Sequence, residues 1–216
     1  MQVRTRHTPA FGVARLVLAP EESVRADYDS MIASSFGVIV NTMPRTGGGR
    51  KARLSREAVF TAPAEGGWVD LAPSLPGEVY TVELDGATGW CVSRGAALAM
   101  GGTLRGDLHW PGFHSMFGSD PGFVERIAGV GPLVLASCGA IDMVTLDAGE
   151  FITVDPAYLV AYHDITQSRL RAVDQSMPQS MRTGEGLMLD FGGPGQVLVQ
   201  TRNARVIADS LAAIKS

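Results

Sequence analysis

Apolar and polar residues alternate in short runs along this chain, and the same runs return at a regular interval. Val197 and Val199, or Ile141, Met143 and Leu146 with Val144 beside them, have the period of a half-buried β-strand. Turn signals such as Ser74-Leu-Pro-Gly77, Asp85-Gly86 and Gly192-Gly-Pro-Gly195 separate the runs at short spacing. Together they predict an all-β sandwich or barrel rather than βαβ units. A helical period appears only near the end, where residues from about 204 to 214 set Val206, Leu211 and Ile214, with Ile207 and Ser210, along one amphipathic helix. This short C-terminal helix is expected to cap an exposed sheet end.

The interval itself is informative. Gly67, Gly131 and Gly195 stand 64 residues apart, and each opens a matching phrase: Trp68 to Leu71, Pro132 to Leu135, Gln196 to Val199. Eight residues before each glycine sit Val59, Phe123 and Leu187. A second block aligns Leu16, Val82 and Val144, then Leu18, Leu84 and Leu146, then a turn with Glu22, Thr88 or Glu150, and finally Ala33, Ala99 and Ala161. The closest internal match sets Glu22 to Ala33 against Glu150 to Ala161. The chain therefore reads as three tandem repeats of about 64 residues, at about 10–73, 74–137 and 138–201, preceded by a spare strand at 2–9. Tandem copies bury their apolar faces against one another. A single domain over residues 1–216 is expected, a pseudo-threefold prism. In that frame the spare strand either lies beside the last one and seals the seam or pairs with another subunit.

Composition narrows the function classes. At 216 residues and 45% hydrophobic content the chain can bury a sizeable core. A net charge of −4 supplies no global pull toward nucleic acid or an anionic membrane. Cys91 and Cys138 fall at non-matching places and form no CxxC pair, which argues against a disulfide framework or a zinc site and for two partly buried thiols. No apolar run of signal-peptide length opens the sequence, and nowhere do 18 apolar residues run together. A soluble, cytoplasmic protein is the expectation.

Several phrases carry a family resemblance: Val3-Arg-Thr-Arg-His-Thr-Pro-Ala-Phe11, Ser93-Arg-Gly-Ala-Ala-Leu-Ala99, Ser137-Cys-Gly-Ala-Ile141, Gly184-Glu-Gly-Leu-Met-Leu-Asp-Phe191 and Val199-Gln-Thr-Arg202. In order and spacing they resemble the altered-inheritance-of-mitochondria twenty-four family across nearly the whole chain. The resemblance implies a fold similar to the tryptophan RNA-binding attenuation protein, a double-stranded β-helix-like arrangement in three copies, and a homo-oligomer; a trimer is the favoured assembly. Eukaryotic relatives are linked to mitochondrial biogenesis and inner-membrane organisation. It implies no catalytic residues. Where many relatives carry a long apolar, glycine-rich loop, this chain has the basic stretch Arg45 to Arg56, so a membrane role for that loop does not carry over directly.

The search for chemistry gives little. A cupin-like metal site needs closely spaced histidines and a carboxylate converging on one ion. The four histidines, His7, His109, His114 and His163, form no HxH pair. His7 aligns with Leu71 and Leu135 and is read as half-buried; His163 beside Asp164 is read as a strand-end polar pair, although an aspartate-oriented imidazole is also how general bases are built. Gly47-Gly-Gly-Arg-Lys-Ala52 lacks the Lys-Ser/Thr ending of a phosphate loop, and Ser115 lacks a nucleophile elbow. No metal, cofactor or enzymatic activity is expected.

The three copies differ most in the loops after Ala33, Ala99 and Ala161, and variable loops on a constant scaffold are where binding concentrates. The first is basic, with Arg45, Arg50, Lys51, Arg53 and Arg56. The second presents Trp110, Phe113, Met116 and Phe117, side chains that either fold inward, pack across a subunit interface or meet a partner. The third, Gln175 to Arg182, is polar with two methionines. The reading is a non-catalytic, oligomeric β scaffold that contacts a partner protein or a membrane surface through these loops. The alternatives are a cupin-like metal- or small-ligand enzyme and, by fold analogy, an RNA-binding protein. Nucleic acid is disfavoured by the acidic balance and by the lack of a stripe of cations interleaved with aromatics.

Overall fold

A computed structural model describes residues 1–42, 57–107, 124–173 and 186–214. The described residues are mostly strand, with one helix, α1 (Ala204–Ile214), as the periodicity predicts. The strands are β1 (Gln2–Arg6), β2 (Val13–Leu18), β3 (Ser23–Asp27), β4 (Met31–Ser34), β5 (Ile39–Thr42), β6 (Glu57–Thr61) and β7 (Gly67–Leu71). Then come β8 (Val79–Asp85), β9 (Trp90–Ser93), β10 (Ala97–Gly101), β11 (Arg105–Asp107), β12 (Val124–Ala128) and β13 (Val130–Ala136). The last are β14 (Ile141–Leu146), β15 (Phe151–Val154), β16 (Leu159–His163), β17 (Gln167–Ala172), β18 (Leu187–Gly192) and β19 (Gly195–Gln200).

Local chemistry places the breaks. Between β2 and β3 the Glu22 carboxylate accepts the Ala19 N–H at 2.8 Å, and between β14 and β15 Glu150 does the same for Asp147, also at 2.8 Å. After β3 the Asp27 carboxylate accepts from the Asp29 N–H at 3.1 Å; after β15 Asp155 accepts from Ala157 at 2.9 Å. Each aspartate opens a short 3₁₀ turn, Tyr28–Ser30 or Pro156–Tyr158. Side-chain acceptors of this kind satisfy backbone donors that a sharp bend leaves without a strand partner. The best internal sequence match is thus a match of turn hydrogen bonds.

The chain divides into two compact units, residues 1–87, 95–105 and 129–140 in one, and 88–94, 106–128 and 141–216 in the other. The first holds a sheet of order β1-β2-β7-β4 and a sheet of order β5-β6-β3-β10-β13-β8. Its core lies between them, with Leu16, Leu18, Val69 and Leu71 from one sheet meeting Val24, Phe60, Leu98 and Val134 from the other. The second unit holds the sheets β11-β12-β9-β16-β19-β14 and β15-β18-β17. There Cys91, Tyr162, Leu189, Phe191 and Val197 form the centre. Among the described residues the paired strands run antiparallel, so each inner face reads as the alternation seen in the sequence.

The pairings follow one scheme in each third of the chain. β7 lies between β2 and β4, β13 between β8 and β10, and β19 between β14 and β16. The middle strand of each trio meets a slipped register on one side, between Met31 and Ala33, Ala97 and Ala99, and Leu159 and Ala161. The three matched alanines each follow a β-bulge.

Several expectations change. Register pairs Val59 with Arg25, Arg126 with Cys91 and Asp190 with Thr153, so the structural counterparts of Val59 are Arg126 and Asp190, not Phe123 and Leu187. The link from β6 to β7 is longer than those from β12 to β13 and from β18 to β19, and a fixed offset from the glycine misses it. β1 pairs with β2, register Gln2↔Val17 to Arg6↔Val13, rather than with the last strand. His7 is exposed, in a turn with φ 60°, and is not half-buried. On β14 the pleat turns Met143 outward while Leu146 is buried. Helix α1 does not cap a sheet end, because Val206 and Leu211 on its apolar side stand in solvent.

Candidate functional site

The three-stranded sheet β15-β18-β17 has a buried face and an open one. Inward, Phe191 is fully buried and its ring meets Tyr162 with centroids 4.8 Å apart. Burial pushes the Tyr162 phenol up, with the neighbouring Cys91 adding to it. This apolar floor fixes β18, and by strand alternation it forces Asp190 and Gly192 onto the opposite face.

On that open face the strands align in two rows. Phe151, Gly192 and Gln167 form one; Thr153, Asp190 and Arg169 form the other. The Phe151 ring leans over Gly192, where an added Cβ would lie 2.8 Å from Phe151 Cε1. In the second row the Thr153 hydroxyl donates to Asp190 Oδ1 at 2.7 Å, and Arg171 Nε donates to Oδ2 at 2.8 Å. The hydroxyl of Thr153 chiefly, with Arg171 and the nearby charge of Arg169, holds the Asp190 carboxyl below the usual range against the cost of burial. The rows enclose a groove of about 520 Å³. Phe151 is 73% exposed there.

A second charged cluster lies on the sheet β1-β2-β7-β4. Asp70 is buried, yet its carboxylate accepts from Arg15 Nε and Nη2, both at 2.8 Å, and from Arg6 Nη2 at 2.7 Å. Those hydrogen bonds, Arg15 first, lower its pKa to about 2. The Arg15 guanidinium also sits 4.0 Å from the Trp68 ring centroid. Register puts Arg4 opposite Arg15 and Trp68 opposite Val17. One sheet face therefore carries Arg4, Arg15 and Trp68 with Arg6 beside them, a grouping that depends on β7 returning from far along the sequence to pair with β2.

The residues singled out from sequence fare differently. Arg45, Arg50, Lys51, Arg53 and Arg56, and Trp110, Phe113, Met116 and Phe117, lie outside the described residues, as do His109 and His114. Asp164 accepts from Arg126 Nε at 2.8 Å, and the His163 ring packs edge-on against Trp90 at 4.2 Å. Among the described residues no three His, Cys, Asp or Glu side chains group closely enough to hold a metal ion, and no helix is long and apolar enough to cross a membrane. Cys91 and Cys138 are both buried thiols. The Phe151 groove is not legible in the sequence, because its residues are scattered over three strands. One signal was available, since Phe151 stands where the matching turns carry Ser23 and Gly89.

Comparisons with known proteins find relatives of the whole chain. A family model described as mitochondrial biogenesis AIM24 matches residues 3–202. An uncharacterized protein of Streptococcus pyogenes serotype M6 is 29% identical over 215 residues, covering 93% of this chain and 86% of its own. The crystal structure of a protein from Streptococcus pyogenes superposes with a TM-score of 0.77 at 26% identity, over 99% of both chains.

Proposed function

The chain belongs to the mitochondrial biogenesis AIM24 family, and from that premise we propose that it acts as a non-catalytic β scaffold that assembles with copies of itself. The observation that carries this reading is apolar surface left bare in the first unit. Phe36 is 103% exposed, and Ile32 and Ile39 stand near it in sequence, both exposed. Ile32 occupies the bulge of β4 at 55% exposure, whereas the matching bulge residues Leu98 and Val160 are 3% and 1% exposed. The same position is covered twice and bare once. Ile39 lies on β5, the edge strand of its sheet, where unpaired backbone groups invite another chain. Burying large apolar side chains contributes about 1.5–3 kcal/mol each, and exposed clusters of this kind mark interaction sites.

A second copy is the proposed occupant, with a trimer as the expected assembly, and the strand order supports three tandem units as its building plan. Trp110, Phe113, Met116 and Phe117, with the basic positions Arg45 to Arg56, are proposed to add contact with a partner protein or a membrane surface. Light scattering coupled to size exclusion tests the assembly: the native chain is expected to run as a multimer, and Phe36→Ser with Ile39→Ser as a smaller species. A monomeric native chain would sink the scaffold reading. Flotation with anionic vesicles, with Trp110→Ser and Phe113→Ser as the control, tests the loop contact, and vesicle binding unaffected by that change removes it.

A further inference from the structure

We propose that the groove on the β15-β18-β17 face binds a small organic anion with a flat apolar body, the body resting on the Phe151 ring and the anionic group held by Arg169. The scaffold reading makes no use of this groove.

Charge decides the sign of the ligand. Asp190 is the one carboxylate in the two facing rows, and both its oxygens are taken, one by Thr153 and one by Arg171. It therefore has little left to anchor a cation. Among the described residues no side chain accepts a hydrogen bond from Arg169, and its guanidinium keeps its donor fork for an incoming carboxylate or phosphate. Arg171, from the next row, pairs with Asp190 and offsets its charge, which leaves Arg169 as the cation lining the groove.

Shape decides the rest. Phe151 is mostly exposed although it is a large apolar side chain, and Gly192 opposite it leaves the room that lets the ring lie across the sheet rather than stand away from it. An aromatic face held in this way offers a platform for a flat partner. Gln167, in the same row, adds a neutral hydrogen-bonding group at the rim. A groove of about 520 Å³ falls within the roughly 300–1,000 Å³ of small-ligand sites. The matching turns carry Ser23 and Gly89 in place of Phe151, and the structural counterparts of Asp190 are Val59 and Arg126, so this combination occurs at one of the three related places.

Titration calorimetry of the full chain at low salt with phenyl phosphate, inorganic phosphate and benzylamine tests the assignment. Phenyl phosphate is expected to saturate and to bind more tightly than inorganic phosphate, with benzylamine weakest. Phe151→Ser and Arg169→Gln are each expected to weaken phenyl phosphate about tenfold. Both residues are exposed, so the variants are expected to melt as the native chain does and to keep its solution mass, which separates this site from the assembly surface. Absence of saturation, benzylamine binding as tightly as phenyl phosphate, equal binding of the two phosphates, or affinity unmoved by both substitutions would each overturn it.

Discussion

Asp70 shows how one residue ties a surface to a core. Its carboxylate is buried beneath two guanidinium groups, and breaking such a pair from one side costs about 3–5 kcal/mol because the remaining charges lose their partner. Asp70→Asn is expected to lower stability by an amount near the lower end of that range, since Arg6 and Arg15 remain partly exposed, and urea denaturation monitored by tryptophan fluorescence checks it. The same group sets an acid limit. Its folded pKa of about 2 lies below the ordinary aspartate value of about 4, so its contribution is full above the unfolded pKa and is lost as pH falls through the folded one. Stability is therefore expected to decline between about pH 5 and pH 1, and Asp70→Asn is expected to flatten that decline. An acid titration in which both chains lose stability alike would contradict the assignment. None of this was legible in the sequence, where Asp70 is one acid among many and its partners lie 64 and 55 residues away.

At the scale of elements, the alternation of apolar residues was enough to find strands, and turn chemistry was enough to end them. Glu22 and Glu150 accept from the backbone at the same point of the same turn, as do Asp27 and Asp155, because a bend between short antiparallel strands leaves the same donors bare each time. Asp155→Ala is expected to cost about 1 kcal/mol, in the range of lost side-chain caps, with Asp155→Asn costing less because the amide oxygen still accepts. Differential scanning calorimetry of the two variants distinguishes them. Register was less legible than strand existence. The offset that pairs Val59 with Phe123 and Leu187 fails because loop length before β7 differs, and only hydrogen bonding across the sheet reveals the slip. Helix α1 was correctly bounded by its period, yet its partner was not, since amphipathicity states that a face can be buried and not what buries it.

At the scale of the whole chain, residues far apart in sequence meet at a glycine junction within the first unit. The loops leading into β2, β8 and β14 are joined by Gly12 N–H donating to Gly77 O at 2.8 Å and Glu78 N–H donating to Gly139 O at 2.9 Å. This junction admits no side chain at Gly77, where a Cβ would lie 1.8 Å from the Ser137 carbonyl oxygen. Gly77→Ala is therefore expected to destabilise the chain by several kcal/mol, the range of strained or overpacked substitutions. Gly149→Ala is a useful contrast. It faces a positive φ of 88° with nothing within 4 Å of the added Cβ, and about 1 kcal/mol is expected from backbone strain alone. Melting temperatures of the two variants measure the difference, and equal shifts would show that the Gly77 contact relaxes.

What the sequence determined by itself was the local grammar, strand after strand with the turns between them and the terminal helix, because alternation and turn chemistry are set by near neighbours in the chain, together with the recurring spacing and the family resemblance. What only the tertiary structure decided was which distant strands share a face. Asp70 with Arg6 and Arg15, and Phe151 with Gly192 and Arg169, come together through cross-strand register, which depends on loop lengths and bulges that alternation alone does not encode.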